Sequence, residues 1–171
     1  MNIFLIGYRC TGKTTVGRAL AERLGMEFID ADDYLVAKAG KTIKQIFADD
    51  GEKAFRDLEE QCLAEIAGRD NQVVAAGGGG VLRQANTATM KRAGTVVLLE
   101  ADADTIYHRI TGDPNTDAQR PGLTGKSQYD EIVHLLEYRK PFYDSAADLT
   151  LDSSTLTPSE LVDRIVRRVK R

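Results

Sequence analysis

The chain has 171 residues, which suits one domain, and a chain of that size buries enough surface to fold without disulfides or metals. Hydrophobic residues make up 42% and charged residues 29%, and the net charge of -3 argues against a nucleic-acid role resting on overall charge, though not against a local basic pocket. The two cysteines, Cys10 and Cys62, are far apart and lack CxxC spacing, which argues against a disulfide framework or zinc site and fits a reducing cytosol. No stretch reaches the ~18 apolar residues of a membrane span. The opening "MNIFLIG" has no basic leader and too short an apolar run for a signal peptide, so a cytoplasmic protein is expected.

Short apolar runs alternate with helical patterns. "NIFLI" (2–6) reads as a buried strand, and 13–25 as a helix with Val16, Leu20 and Leu24 on one face and Gly25 as its C-terminal cap. "EFID" (27–30) is a second strand. Residues 31–39 and 42–49 read as short helices broken at Gly40, and 51–68 as a longer helix with Phe55, Leu58, Cys62, Leu63 and Ile66 along one face. "QVVAA" (72–76) is a third strand running into "GGGG". A helix over 86–93, a strand "TVVLLE" (95–100) and a helix over 103–111 follow. Residues 112–126 carry turn residues and little apolar content and read as a mobile loop, with Gly112 and Gly125 as hinges. Residues 128–146 are helical at least to Lys140, ahead of Pro141. "DLTLD" (148–152) is the last strand, and 157–170 the last helix, capped by Thr157 with Pro158 in first position. The alternation predicts an α/β fold, a five-stranded parallel sheet with helices on both faces, and ligands beyond the carboxyl ends of its strands.

"GYRCTGKTT" (7–15) follows the first strand and opens the first helix. Gly7 through Thr14 match G-x-x-x-x-G-K-[ST] at every fixed position. In such a loop, backbone N–H groups and the helix dipole hold phosphate oxygens. Gly7, Cys10, Thr11, Gly12, Lys13, Thr14 and Thr15 are the expected ATP contacts, with Lys13 reaching the β- and γ-phosphates and the Thr14 hydroxyl binding Mg2+. Cys10 itself reads as a small loop residue with no redox role.

Three later stretches bear on the acceptor. "DADD" (30–33) ends the second strand; its carboxylates either serve metal and substrate or cap the next helix, Asp33 fitting the cap best. "GEKAFRDLE" (51–59) puts Arg56 and Glu59 three apart on a helix, either a carboxylate clamp or an intrahelical ion pair. "AAGGGGV" (75–81) is a backbone that something approaches closely, since a plain flexible loop would sacrifice entropy at each glycine. His108 and His134 have no metal-ligand spacing.

The motifs "GYRCTGKTTVGRALA", "FIDADD", "IFADDGEKAFRDLE", "VVAAGGGG", "QRPGLTG" and "YRKPFYDSAAD", in this order, resemble the shikimate kinase family from Asn2 to about Asp152. The resemblance implies a three-layer P-loop kinase fold, similar to nucleoside monophosphate kinases, in a single domain. It has a substrate-binding region at about 31–60 and a lid at about 112–126. It implies transfer of a phosphoryl group from Mg-ATP to shikimate, on the route to chorismate and aromatic amino acids. It places Asp30 near Mg2+, Asp32 on the acceptor hydroxyl, Arg56 on the shikimate carboxylate with Glu59 close by, and Gly77, Gly78 and Gly79 along the substrate site. Arg120 of the lid would reach the phosphates, Arg139 would be a second carboxylate ligand, and Arg109 is the nearest match to the arginine bordering adenine. One departure is Cys10, where the family usually has glycine; it bears on the local loop conformation.

Lys13, Asp32 and Arg120 are thus the expected catalytic residues, and Thr14 and Asp30 the metal ligands. Outside the family context Arg120 and Arg139 would read as surface residues. A gluconate kinase of the same fold should lack the arginine clamp, and a nucleoside monophosphate kinase needs a base-recognition segment that is not evident. A nucleotide-dependent switch would not need Lys13, Asp32 and Arg120 together. A monomer is expected, since no long apolar stripe is left over once the helices pack.

Overall fold

The structure is a computed structural model that describes residues 1–112 and 127–171. The expected lid, with Arg120 and Gly125, lies outside the described residues apart from Gly112, which caps a helix. The strands are β1 (Asn2–Ile6), β2 (Glu27–Asp30), β3 (Gln72–Ala75), β4 (Gly94–Glu100) and β5 (Leu149–Asp152). They form one sheet in the order β2-β3-β1-β4-β5, and every pairing is parallel. Parallel neighbours require long crossovers, which helices supply. These are α1 (Lys13–Leu24), α2 (Ala31–Ala39), α3 (Ile43–Ala67), α4 (Gln84–Ala93), α5 (Ala103–Thr111), α6 (Gln128–Ala146) and α7 (Pro158–Val169).

Both sheet faces are covered, so the central strands carry unbroken apolar runs, Ile3–Ile6, Val73–Ala75 and Val96–Leu99, rather than apolar residues at alternate positions. Ile3 and Leu5 of β1, with Val97 and Leu99 of β4, pack against Val16 and Leu20 of α1 and Leu161 and Ile165 of α7. Their neighbours Phe4, Ile6, Val96 and Leu98 pack on the other face against Leu63 and Ile66 of α3, Met90 of α4 and Tyr143 of α6. Each such fully buried aliphatic or aromatic side chain contributes about 1.5–3 kcal/mol. A smaller cluster joins α2 to α3 through Leu35, Ile43, Ile46, Phe55 and Cys62. Another joins α5 to α6 through Ile106, Ile110, Ile132 and Leu135, with Tyr8 against it.

The helices expected over 42–49 and 51–68 are both present and meet end to end at a kink at Gly51, whose φ of 86° and ψ of 173° no helix contains. Three further features extend or differ from the sequence reading. Helix α6 passes through Pro141 to Ala146; the missing N–H is outweighed by burial of Tyr143 and Ala146 further along the helix. A 3-10 turn at Gly80–Leu82 precedes α4, which starts two residues before the expected 86. The cap of α2 is Asp30 rather than Asp33: its Oδ1 accepts from the backbone N–H groups of Asp32 (2.9 Å) and Asp33 (3.1 Å). A carboxylate one residue outside the helix reaches the free N–H groups of the first turn, whereas one already inside it does not.

The strand order positions the site. β1 lies beside β3 and β3 beside β2, with Asp30 opposite Ala75, and Ala76 N–H extends the ladder to the Leu5 carbonyl at 2.9 Å. The loop after β1, the glycine run after β3 and the acidic end of β2 therefore emerge side by side at one edge of the sheet.

Candidate active site

The loop after β1 is a closed cradle. Gly7 has a φ of 144°, and a Cβ there would run into the Leu99 carbonyl and the Thr11 hydroxyl, so only glycine fits. The Thr11 hydroxyl donates to the Tyr8 carbonyl at 2.8 Å, holding the loop in shape from within and leaving its backbone to face a ligand. Lys13 Nζ donates to the carbonyls of Gly7 (2.6 Å) and Tyr8 (2.9 Å), so its charge lies across the mouth of the loop. Gly12, at φ 98°, caps α1 with no side-chain hydrogen bond, which leaves the first N–H groups of the helix to an anion. Cys10 adopts φ 61°, the left-handed region, and this is the physical reason a glycine suits that position.

On one side of this loop is a cleft of about 530 Å³, its mouth included, walled by Tyr8, Phe47 and Phe55 and lined by Asp32, Arg56, Glu59, Arg139 and Gly77–Gly79. Helix α3 supplies Arg56 and Glu59, both buried, joined at 2.9 Å between Nη1 and Oε1. The ion pair is thus present, with Glu59 on one terminal nitrogen of the guanidinium and Glu52 Oε1 3.9 Å from the other. Arg139 is 6% exposed, far from the surface reading its residue type suggests alone, and lies 5.5 Å from the Tyr8 ring centroid. The glycines make room for these side chains. A Cβ at Gly79 would stand 2.5 Å from both terminal nitrogens of Arg56, and one at Gly77 would stand 2.7 Å from Glu59 Oε2 and 2.9 Å from Asp32 Oδ1. One at Gly78 would stand 3.3 Å from Arg139 Nη1.

Asp30 and Thr14 meet at the near end of the cleft, Thr14 Oγ1 to Asp30 Oδ2 at 3.5 Å. Burial pushes the Asp30 carboxyl above its usual range; the N–H groups of Asp33 and Asp32 pull it back in part, while the Asp32 and Asp33 charges add to the rise. Hydroxyl and carboxylate oxygens are hard donors and fit Mg2+, which takes one or two protein oxygens and completes its shell with phosphate and water. Among the described residues no group of three or more His, Cys, Asp or Glu could hold a metal by itself.

On the other side of the loop a groove is lined by Cys10, Thr11, Gly12, Thr15, Arg109, Ser153 and Pro158. Arg109 ties it together, donating to the Cys10 carbonyl (3.0 Å) and to the Ser153 carbonyl (2.8 Å). The structure thus brings Asp32, Arg56, Glu59, Gly77–Gly79 and Arg139 into one cleft and Cys10, Thr11, Gly12, Thr15 and Arg109 into a second groove; Asp30 lies in neither lining and is tied to Thr14 and to the Asp32 backbone, and Arg120 lies outside the described residues.

Sequence reasoning missed several contributors. Arg9 and Glu131 also line the cleft. Tyr143 donates its buried hydroxyl to the Gly78 carbonyl at 2.5 Å, fixing the glycine run from the helix that carries Arg139. Its position four residues after Arg139, hence on the same helix face, was the available signal.

The comparisons with known proteins agree with this geometry. The family model for shikimate kinase matches residues 9–170. A shikimate kinase from Rhodopirellula baltica is 38% identical over 97% of this chain and 89% of its own length, and one from Symbiobacterium thermophilum is 40% identical over 99% and 97%. Among solved structures, shikimate kinase from Acinetobacter baumannii in complex with shikimate aligns with a TM-score of 0.91 at 35% identity, covering 99% of this chain and 92% of that one. With the phosphate loop, the acidic strand end, the arginine helix and the glycine run converging on one cleft, the chain belongs to the shikimate kinase family.

Proposed function

We propose that the arginine-lined cleft is the shikimate site and that the phosphate loop presents to it the γ-phosphoryl group of ATP, the family's phosphoryl donor. The products are shikimate 3-phosphate and ADP. The observation that carries this reading is the position of the loop between two recesses, one bearing Arg56, Arg139 and Asp32, the other bearing Arg109 and Ser153.

Phosphoryl transfer passes through a loose transition state, so positioning and charge neutralisation do most of the catalysis. Lys13 supplies positive charge at the loop mouth, and Arg120 is assigned by the family pattern to the same phosphates. Thr14 and Asp30 would hold Mg2+, which neutralises charge on the phosphates. Asp32 orients the acceptor hydroxyl and can take its proton. Arg56 and Arg139 hold the acceptor carboxylate, each charge-assisted contact contributing about 1.5–3 kcal/mol. This selects an anionic polyol over a neutral sugar such as would suit a kinase without the clamp. The exposed large apolar side chains among the described residues are Met1, Tyr129 and Tyr138, too few for a stable subunit interface, so a monomer acting in the cytoplasm is our reading.

The test is ADP release from Mg-ATP with shikimate, gluconate and nucleoside monophosphates as acceptors. Release with shikimate alone is expected. Release with another acceptor, or none despite ATP binding, would reject the assignment of the cleft.

A further inference from the structure

We propose that Arg9 is a third anion-holding guanidinium of the acceptor cleft, a residue that sets specificity for a carboxylate-bearing acceptor. The proposal rests on the reading of this cleft as the shikimate site. By sequence Arg9 belongs to the phosphate loop, at a position its motif leaves free. Its side chain lines the other compartment, with Arg56, Arg139 and Asp32. The backbone explains why: a Cβ on Gly78 would stand 3.6 Å from Arg9 N, so this part of the loop abuts the glycine run rather than the nucleotide groove.

Three observations point to an anion. The Nε atoms of Arg9, Arg56 and Arg139 are each buried without a hydrogen-bond partner. Among the described residues only one other buried side-chain atom, Gln72 Oε1, shares that condition. Each belongs to a guanidinium that lines this one cleft, so the enclosed Nε end fixes the side chain in place and the terminal nitrogens are what a ligand there meets. The guanidinium carbons of Arg9 and Arg139 also lie 5.9 and 5.5 Å from the same Tyr8 ring centroid. Ring and cations attract, and Arg9 also hydrogen-bonds the Tyr8 side chain, so both guanidiniums are held at this end of the cleft.

The charge balance gives the third observation. The cleft holds three carboxylates, Asp32, Glu59 and Glu131, against three guanidiniums, Arg9, Arg56 and Arg139. Glu59 is engaged with Arg56. Without Arg9 the cleft would carry a net negative charge and repel the acceptor it must admit; with Arg9 it is balanced.

The experiment measures KM for shikimate, for its neutral carboxamide and for ATP in the wild type, Arg9→Ala, Arg9→Gln, Arg9→Lys and Arg56→Ala, with thermal stability as a folding control. Loss of one charge-assisted contact predicts that Arg9→Ala and Arg9→Gln raise the shikimate KM about 10- to 100-fold, with Arg9→Lys intermediate. The ATP KM should change less than about twofold, and the penalty should largely disappear with the carboxamide, because the lost partner is then absent from both sides of the comparison. An equal penalty with both acceptors, or one confined to ATP, overturns the proposal and makes Arg9 a loop-shaping residue. An unchanged shikimate KM in the Arg9 variants beside a raised one in Arg56→Ala overturns the Arg9 assignment alone. Unchanged values in both overturn the cleft assignment along with it.

Discussion

Position 79 has no room for a methyl group. A Cβ there meets both terminal nitrogens of Arg56 at 2.5 Å, so the guanidinium has to move and give up its bond to Glu59. Gly79→Ala is therefore expected to displace the guanidinium and raise the shikimate KM at least about 10-fold, the worth of one charge-assisted contact, with the ATP KM unchanged. Steady-state kinetics in both substrates would show it; a parallel rise in both would mean that the glycine run serves the phosphate loop instead. Asp30 makes a different prediction. Burial raises its carboxyl pKa, so its contribution to stability is most favourable at low pH and is lost as pH rises through the folded value. Asp30→Asn keeps a good helix cap and removes the buried charge. It is expected to raise the melting temperature of the nucleotide-free protein near neutral pH, flatten that pH dependence, and raise the Mg2+ concentration needed for activity. At this scale the fixed motif residues were legible because their chemistry depends on residue type and spacing. Arg9 was not, because a motif states what a position must be and is silent where it allows anything.

Helix α3 shows how an element delivers side chains. Its bend at Gly51 turns the segment carrying Arg56 and Glu59 toward the sheet edge, and Gly51 adopts φ 86° with open space where a Cβ would stand. Gly51→Ala thus costs conformation rather than contact, about 1–3 kcal/mol for a residue held in a sparsely populated region. For a chain of this size each kcal/mol lowers the melting temperature by about 2–4 °C, which calorimetry would resolve. Because the bend aims Arg56, the shikimate KM should rise as well. An unchanged melting temperature would show that the bend tolerates a side chain. The break at Gly51 was legible in the sequence, since glycine punctuates helical patterns. The run of α6 through Pro141 was not: local propensity ends a helix there, and burial of Tyr143 and Ala146 against the sheet overrides it. Tyr143 itself is expected to matter through position. Tyr143→Phe removes the bond to the Gly78 carbonyl, and net loss of a buried hydrogen bond of about 0.5–1.5 kcal/mol should appear in stability more than in ATP binding.

The whole molecule works by adjacency. Strand alternation foretold a parallel sheet with its ligands at the carboxyl ends, but not which loops would be neighbours. The order β2-β3-β1 sets the acidic strand end, the glycine run and the phosphate loop in a row, and that order follows from long-range packing that no local pattern encodes. It also explains why residues as distant as Asp32, Arg56, Gly79 and Arg139 line one cleft while the groove of Arg109 and Ser153 opens on the other side of the loop. The central claim is that acceptor and nucleotide have separate recesses sharing one loop. The most direct test is calorimetric titration of shikimate into nucleotide-free wild type and Arg56→Ala, followed by titration of each with Mg-ATP. The account predicts that the wild type binds shikimate alone, that Arg56→Ala loses that binding, and that both bind Mg-ATP equally. Intact shikimate binding in Arg56→Ala, or loss of both ligands together, would contradict it.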